Sequence, residues 1–119
     1  MIDTKKEIVK ALSTIGLKVY NERFVNSQTA IPCITYLEYD NNVLANGDTI
    51  GYSNIIYHVK IWGKDLQTLT DYSEKIDDIM RGLGFKRTNM IDLWLDDVGQ
   101  RQLKYEGKAL ENFDKGDVE

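Results

Sequence analysis

Cysteine, histidine and proline occur once each in this chain of 119 residues. The single Cys33 excludes an internal disulfide, and one cysteine with one histidine leaves no ligand cluster for a zinc site of the usual kind. No histidine or basic residue adjoins Cys33, which points to a small buried hydrophobe rather than a reactive thiol. No apolar run approaches the roughly 20 residues that span a bilayer. The start, MIDTKKEIVK, lacks a signal-peptide core, so the expectation is a protein made inside the cell with no membrane partner. Positive charge is scarce too: 15 Lys and Arg against 19 Asp and Glu give a net charge of −4, which argues against wholesale attraction to nucleic acid. Repeats, low-complexity blocks and linkers are missing as well. The expectation is a single domain over residues 1–113 followed by a disordered acidic tail, residues 114–119, and a chain this long buries roughly two-thirds of its unfolded surface.

What is present is organised around residues 52–85, YSNIIYHVKIWGKDLQTLTDYSEKIDDIMRGLGF. Successive side chains of a strand point to opposite faces, so Ile55, Tyr57, Val59 and Ile61 form one apolar face and Ile56, His58, Lys60 and Trp62 a mixed one. That asymmetry predicts a sheet covered by helices on one side only. Gly63 turns the chain, Asp65 is placed to cap a helix, and Leu66, Leu69, Tyr72, Ile76, Ile79 and Leu83 recur at spacings of three and four along it. Gly82 and Gly84 stop it, and Gly82-Leu83-Gly84 lacks the remaining spacing of a phosphate-binding loop.

Upstream, Asp3 is positioned as a cap for a helix that places Ile8, Leu12 and Ile15 on one face, ending at Gly16. Residues 17–20 read as a short strand, 21–29 as polar loop, and 31–39, IPCITYLEY, as a strand with Pro32 at its start or on an edge. The stretch DNNVLANGDTIG reads as a long hairpin tip or loop, with Asn46 and Gly47 able to take positive φ. Downstream, residues 85–90 return as a strand, Asp96, Asp97 and Gly99 make a turn, and Arg101, Leu103 and Tyr105 alternate with Gln100, Gln102, Lys104 and Glu106 as in a half-exposed strand.

None of these residues forms a catalytic or cofactor motif. His58 has no Ser, Cys or carboxylate at a defined spacing and reads as a surface or interface histidine. Asp77 and Asp78 point about 100° apart on a helix and read as a solvated face rather than a metal site. Asp96 and Asp97 read as turn formers. Tyr36, Tyr39, Tyr57, Trp62 and Trp94 lack the interleaved arginines of a nucleic-acid stacking platform, which assigns them to core and subunit contact. Trp62, on the mixed face, needs a cover from outside the chain.

The running order of an N-terminal helix, IPCITYLEY, IIYHVKIWGKD, a helix ending GLGFKR, and LWLDDVGQRQLKYEG resembles the small tail completion, or tail terminator, proteins of long-tailed bacteriophages and their prophages. The resemblance implies an α+β fold, a single small mixed β-sheet with two main helices packed on one face. It also implies a structural, non-catalytic role without cofactor: a homo-oligomeric ring, usually a hexamer, at the head-proximal end of the tail. That ring touches the major tail tube protein and the head-completion or connector protein, ends tube growth and lets heads join. Genomic DNA only passes through the bore. On this reading Asn46, Gly47, Asp48, His58, Lys60 and Trp62 form the subunit and tube interface. Asp96 and Asp97 face the bore, where their charge repels phosphate. The alternatives are a head-side connector or neck protein and a small cytosolic enzyme using His58; a regulatory nucleic-acid binder is disfavoured by charge.

Overall fold

The computed structural model describes residues 4–26, 29–44 and 52–110. Strand β3, Tyr52–Gly63, carries the alternation read from sequence: Ile55, Tyr57, Val59 and Ile61 are all fully buried. Helices α1, Lys5–Ser13, and α2, Leu66–Gly82, supply the other side of this core through Ile8, Leu12, Leu69, Ile76 and Met80. With β1, Val19–Asn21, β2, Cys33–Leu44, β4, Phe85–Leu95, and β5, Val98–Leu110, β3 forms one five-stranded sheet in the order β1-β2-β3-β5-β4. β1 and β2 are parallel and every other pair is antiparallel, so the fold is α+β with a mixed sheet.

Local chemistry sets the helix ends. The Asp65 carboxylate accepts a hydrogen bond from the Thr68 backbone N–H at 2.7 Å, satisfying one of the unpaired first-turn amides of α2. Gly84, at φ +92°, takes the left-handed conformation that ends it. The buried stripe differs from the one predicted: Leu69 and Ile76 are buried, Tyr72 and Ile79 half-buried, and Leu66 and Leu83 exposed at the two ends of the helix. Ser73 and Met80 complete the buried arc instead. Ser73 is buried because Arg101 of β5 donates to its hydroxyl, a partner 28 residues away that no periodicity reveals.

In α1, Ile8 and Leu12 are buried as expected, and Ile15 packs beside them. Asp3 lies outside the described residues; Thr4 holds the cap position, and its hydroxyl pairs with the Tyr57 hydroxyl at 2.9 Å. β1 starts and ends slightly later than predicted, and the described part of the expected loop after it holds a 3-10 turn, Glu22–Phe24, capped by the Asn21 side chain. Cys33 is buried, as read from sequence.

β2 runs five residues past Tyr39, so residues 41–44 are strand and not loop. Pairing from Asn41↔Ile55 to Leu44↔Tyr52 supplies ladder hydrogen bonds that outweigh the low strand propensity of the asparagines. Asn46, Gly47 and Asp48, and the acidic tail at 114–119, lie outside the described residues.

β4 also exceeds its predicted length, reaching Leu95, and a two-residue turn at Asp96 and Asp97 joins it to β5. Asp96 adopts φ +57°, a conformation that aspartate tolerates in tight turns. The crossover through α2 leaves β4 running in the direction of β3, with β5 inserted antiparallel between them. The most polar strand of the chain is therefore internal. This is possible because Arg101, Leu103, Tyr105 and Gly107 turn to the helices while Gln100, Gln102, Lys104 and Glu106 occupy the other face, which is free of helices among the described residues.

Truncating a fully buried core residue leaves a cavity as well as lost transfer energy. Leu103→Ala should therefore cost about 2–5 kcal/mol in urea unfolding. Leu66→Ala, at an exposed position of the predicted stripe, should stay within about 0.5 kcal/mol of the parent.

Candidate functional site

Two surfaces stand out among the described residues: the face of the sheet away from the helices and the outer edge of β4. On the first, His58, Lys60 and Trp62 project in sequence from β3, side by side as predicted. Each has a partner from another element. The Trp62 indole N–H donates to Thr35 Oγ1 at 3.0 Å, Lys60 Nζ donates to Glu22 Oε2 at 3.0 Å, and His58 stacks on Tyr39 with ring centroids 4.7 Å apart and planes within 6°. Trp62 is half-buried by its own chain, a correction to the expectation that its cover comes wholly from outside.

Beside His58, a shallow depression of about 210 Å³ is lined by Tyr39, Asn89, Ile91, Gln102 and Lys104. Partial burial pushes the His58 pKa below its ordinary value, and the nearby Lys104 and Lys60 ammonium groups push it the same way. Among the described residues no carboxylate hydrogen-bonds to this imidazole, and its ring is positioned by the stack on Tyr39. No group of three or more His, Cys, Asp or Glu side chains is arranged to hold a metal ion among the described residues.

A polar network ties the β4–β5 hairpin to α2 on the helix side. Arg101 is buried and donates from Nε and Nη2 to the two oxygens of Asp92, at 2.7 and 2.9 Å, and from Nη1 to Ser73 Oγ at 3.2 Å. The guanidinium holds the Asp92 carboxyl below the usual carboxylate range. Asp77 accepts from the Tyr105 hydroxyl and from Arg87 Nη1, so the solvated-face reading fails for Asp77 and applies to Asp78, which pairs with Arg81 at the surface. Burial, then this hydrogen bond, pushes the Tyr105 phenol pKa up.

The outer edge of β4 is the surface that sequence reasoning missed. Of its eleven residues only Phe85 is buried. Met90, Ile91, Leu93, Trp94 and Leu95 are 42, 46, 49, 47 and 78% exposed, so large apolar groups emerge on both faces of one strand. Trp94 lies across Gly99, where an added Cβ would meet the indole ring at 2.6 Å; the glycine makes room for the ring. The available signal was MIDLWL itself, apolar at odd and even positions, a pattern normal for a strand covered on both sides and unusual for an edge. Asp96 and Asp97 are exposed at the hairpin turn beyond it. The strand ends that bound residues 45–51 lie at the opposite end of the sheet, beside Leu110 rather than Gly99.

The fold has a solved counterpart. The chain is similar in structure to a chain in the virion of a native gene transfer agent (GTA) particle, with a TM-score of 0.61, 11% sequence identity, and coverage of 88% of this chain and 90% of that one. The likeness therefore spans nearly the whole of both chains and establishes a shared fold. Neither a protein-family model nor a curated protein matches the sequence.

Because the folded-state pKa of His58 lies below its ordinary value of 6.5, the unfolded chain binds the proton more tightly. Stability contributed by the neutral imidazole is present above about pH 6.5 and is lost as pH falls through the folded-state value. Urea unfolding at pH 7 and pH 5 should show that loss in the parent and a smaller one in His58→Gln; equal losses would contradict the assignment.

Proposed function

We propose that this protein is a phage-type virion structural protein that caps the head-proximal end of a tail tube as a homo-oligomeric ring. The ring ends tube polymerisation and presents a surface for head-tail joining. The observation carrying this reading is the fold shared with a chain of a gene transfer agent virion across 88% of this chain. The resemblance of the running order to tail terminators supports the finer assignment. So does a sheet with one helix-covered face and an exposed, apolar edge strand, since a subunit built this way is completed by neighbours.

In this role the major tail tube protein and a head-completion or connector protein are the heterologous partners, and DNA passes through the bore. The row of His58, Lys60 and Trp62 forms part of the contact surface, and Asn46, Gly47 and Asp48 add to it. Asp96 and Asp97, at an exposed turn, face the bore. The role uses no catalytic residue or cofactor.

Electron microscopy of particles assembled without the protein tests the assignment. Overlong tubes are the expected result. Tails of normal length that fail to join heads would replace it with a connector or neck role, and normal infectious particles would overturn a virion role.

A further inference from the structure

We propose that the outer edge of β4 pairs with the outer edge of β1 in a second copy of this chain, continuing the sheet from subunit to subunit. This inference rests on the ring reading and specifies its contact. Among the described residues β4 pairs only with β5, so its outer row of backbone N–H and C=O groups has no strand beside it. Long apolar edges of this kind template pairing with another chain unless blunted by charge, proline or brevity. The charged side chains of β4, Lys86, Arg87 and Asp92, precede Leu93, and Asp92 is already tied to Arg101, so nothing blunts residues 93–95.

The occupant must offer extended backbone of fitting direction, and the other edge of the same sheet does. Following the pairings across the sheet, β1, β2 and β5 run one way and β3 and β4 the other. A second copy placed alongside without flipping therefore sets its β1 antiparallel to β4. The helix layers stay on one side and the open faces on the other, which is the head-to-tail relation a ring requires.

The side chains at each level also match. Ile91, Gln102, Lys60, Thr35 and Tyr20 form one row across the sheet. With no slip between copies, Ile91 thus meets the neighbour's Tyr20 on the open face, and Met90 and Asp92 flank Asn21 and Val19. Lys86 shares its row with Asp40, and Arg87 shares its row with Glu38. The basic start of β4 therefore stands level with two acids of the neighbour's β2, on matching faces. There the neighbour's β1, which pairs only with residues 34–36, gives way to the 3-10 turn Glu22–Phe24, which packs against β2. Met90 and Ile91 meet the short strand, and beyond it Lys86 complements the acidic side of the neighbour's β2 at two strand spacings, Arg87 and Glu38 staying with Asp77 and Lys5 of their own chains.

The test places Tyr20→Cys and Ile91→Cys in one chain under mild oxidation, read on non-reducing gels. Within one chain four strand spacings separate the two positions, about 19 Å, far beyond the roughly 7 Å limit between disulfide-linked Cα atoms, so any bond joins two copies. A ladder beyond dimer is expected from the double variant and none from either single variant, buried Cys33 staying silent in all three. Asn89→Cys or Leu93→Cys in place of Ile91→Cys covers slips of about two residues on the same face. Leu93→Arg, at a half-exposed position, should keep the parent circular dichroism and weaken self-association at least about tenfold in sedimentation.

Dimers from the Ile91→Cys single variant would mean β4 pairs with itself and would overturn the proposal. Multimers of the parent chain without a ladder from any pair would overturn the edge contact and leave the ring reading standing. A parent chain that is monomeric at every concentration, with no ladder, would sink both. Normal self-association of Leu93→Arg with lost capping of tail tubes would assign the edge to another virion protein and overturn the proposal.

Discussion

Burial of one face of β3 against one layer of helices is the constraint on which the rest of this molecule depends. Ile55, Tyr57, Val59 and Ile61 meet Leu69, Ile76 and Met80 from α2 and Ile8 and Leu12 from α1 in a single core. At about 1.5–3 kcal/mol per buried side chain, no strand or helix here offsets its own ordering cost of about 1–2 kcal/mol per residue, so the layers form together or not at all. The single helix layer leaves the reverse face to be finished by smaller means: a salt bridge to a 3-10 turn, a tryptophan bonded to a threonine, and a histidine stacked on a tyrosine.

The second structural decision is the insertion of β5 between β3 and β4. It places the alternating polar strand inside the sheet and the apolar one at the edge, the reverse of what hydropathy suggests. Arg101 makes this workable. Buried on the helix side, it joins Asp92 of β4 to Ser73 of α2, so the outer strand is fixed in orientation without a covering helix. An uncompensated guanidinium there would be costly, and four donated hydrogen bonds, including a weak one to Thr70, answer for it. The result is an edge strand whose large apolar side chains remain exposed.

Sequence alone determined the central strand with its buried parity, the Asp65 cap, the glycine stop of α2 and the burial of Cys33. These follow from local rules, periods of 2.0 and 3.6 and the conformational needs of capping and left-handed residues, all written within a few neighbouring positions. It also placed His58, Lys60 and Trp62 on one face, because alternation along a strand needs no knowledge of the sheet. Only the tertiary structure decided that residues 41–44 and 93–95 are strand, that Ser73 and Arg101 are interior, that Asp77 serves Tyr105, and that β4 is the edge. Each of those outcomes turns on a partner far along the chain, where ladder hydrogen bonds or charge pairing override local preference. Strand order in particular leaves no mark in any one segment, since MIDLWL has the same composition whether a neighbour covers it or the edge stands open.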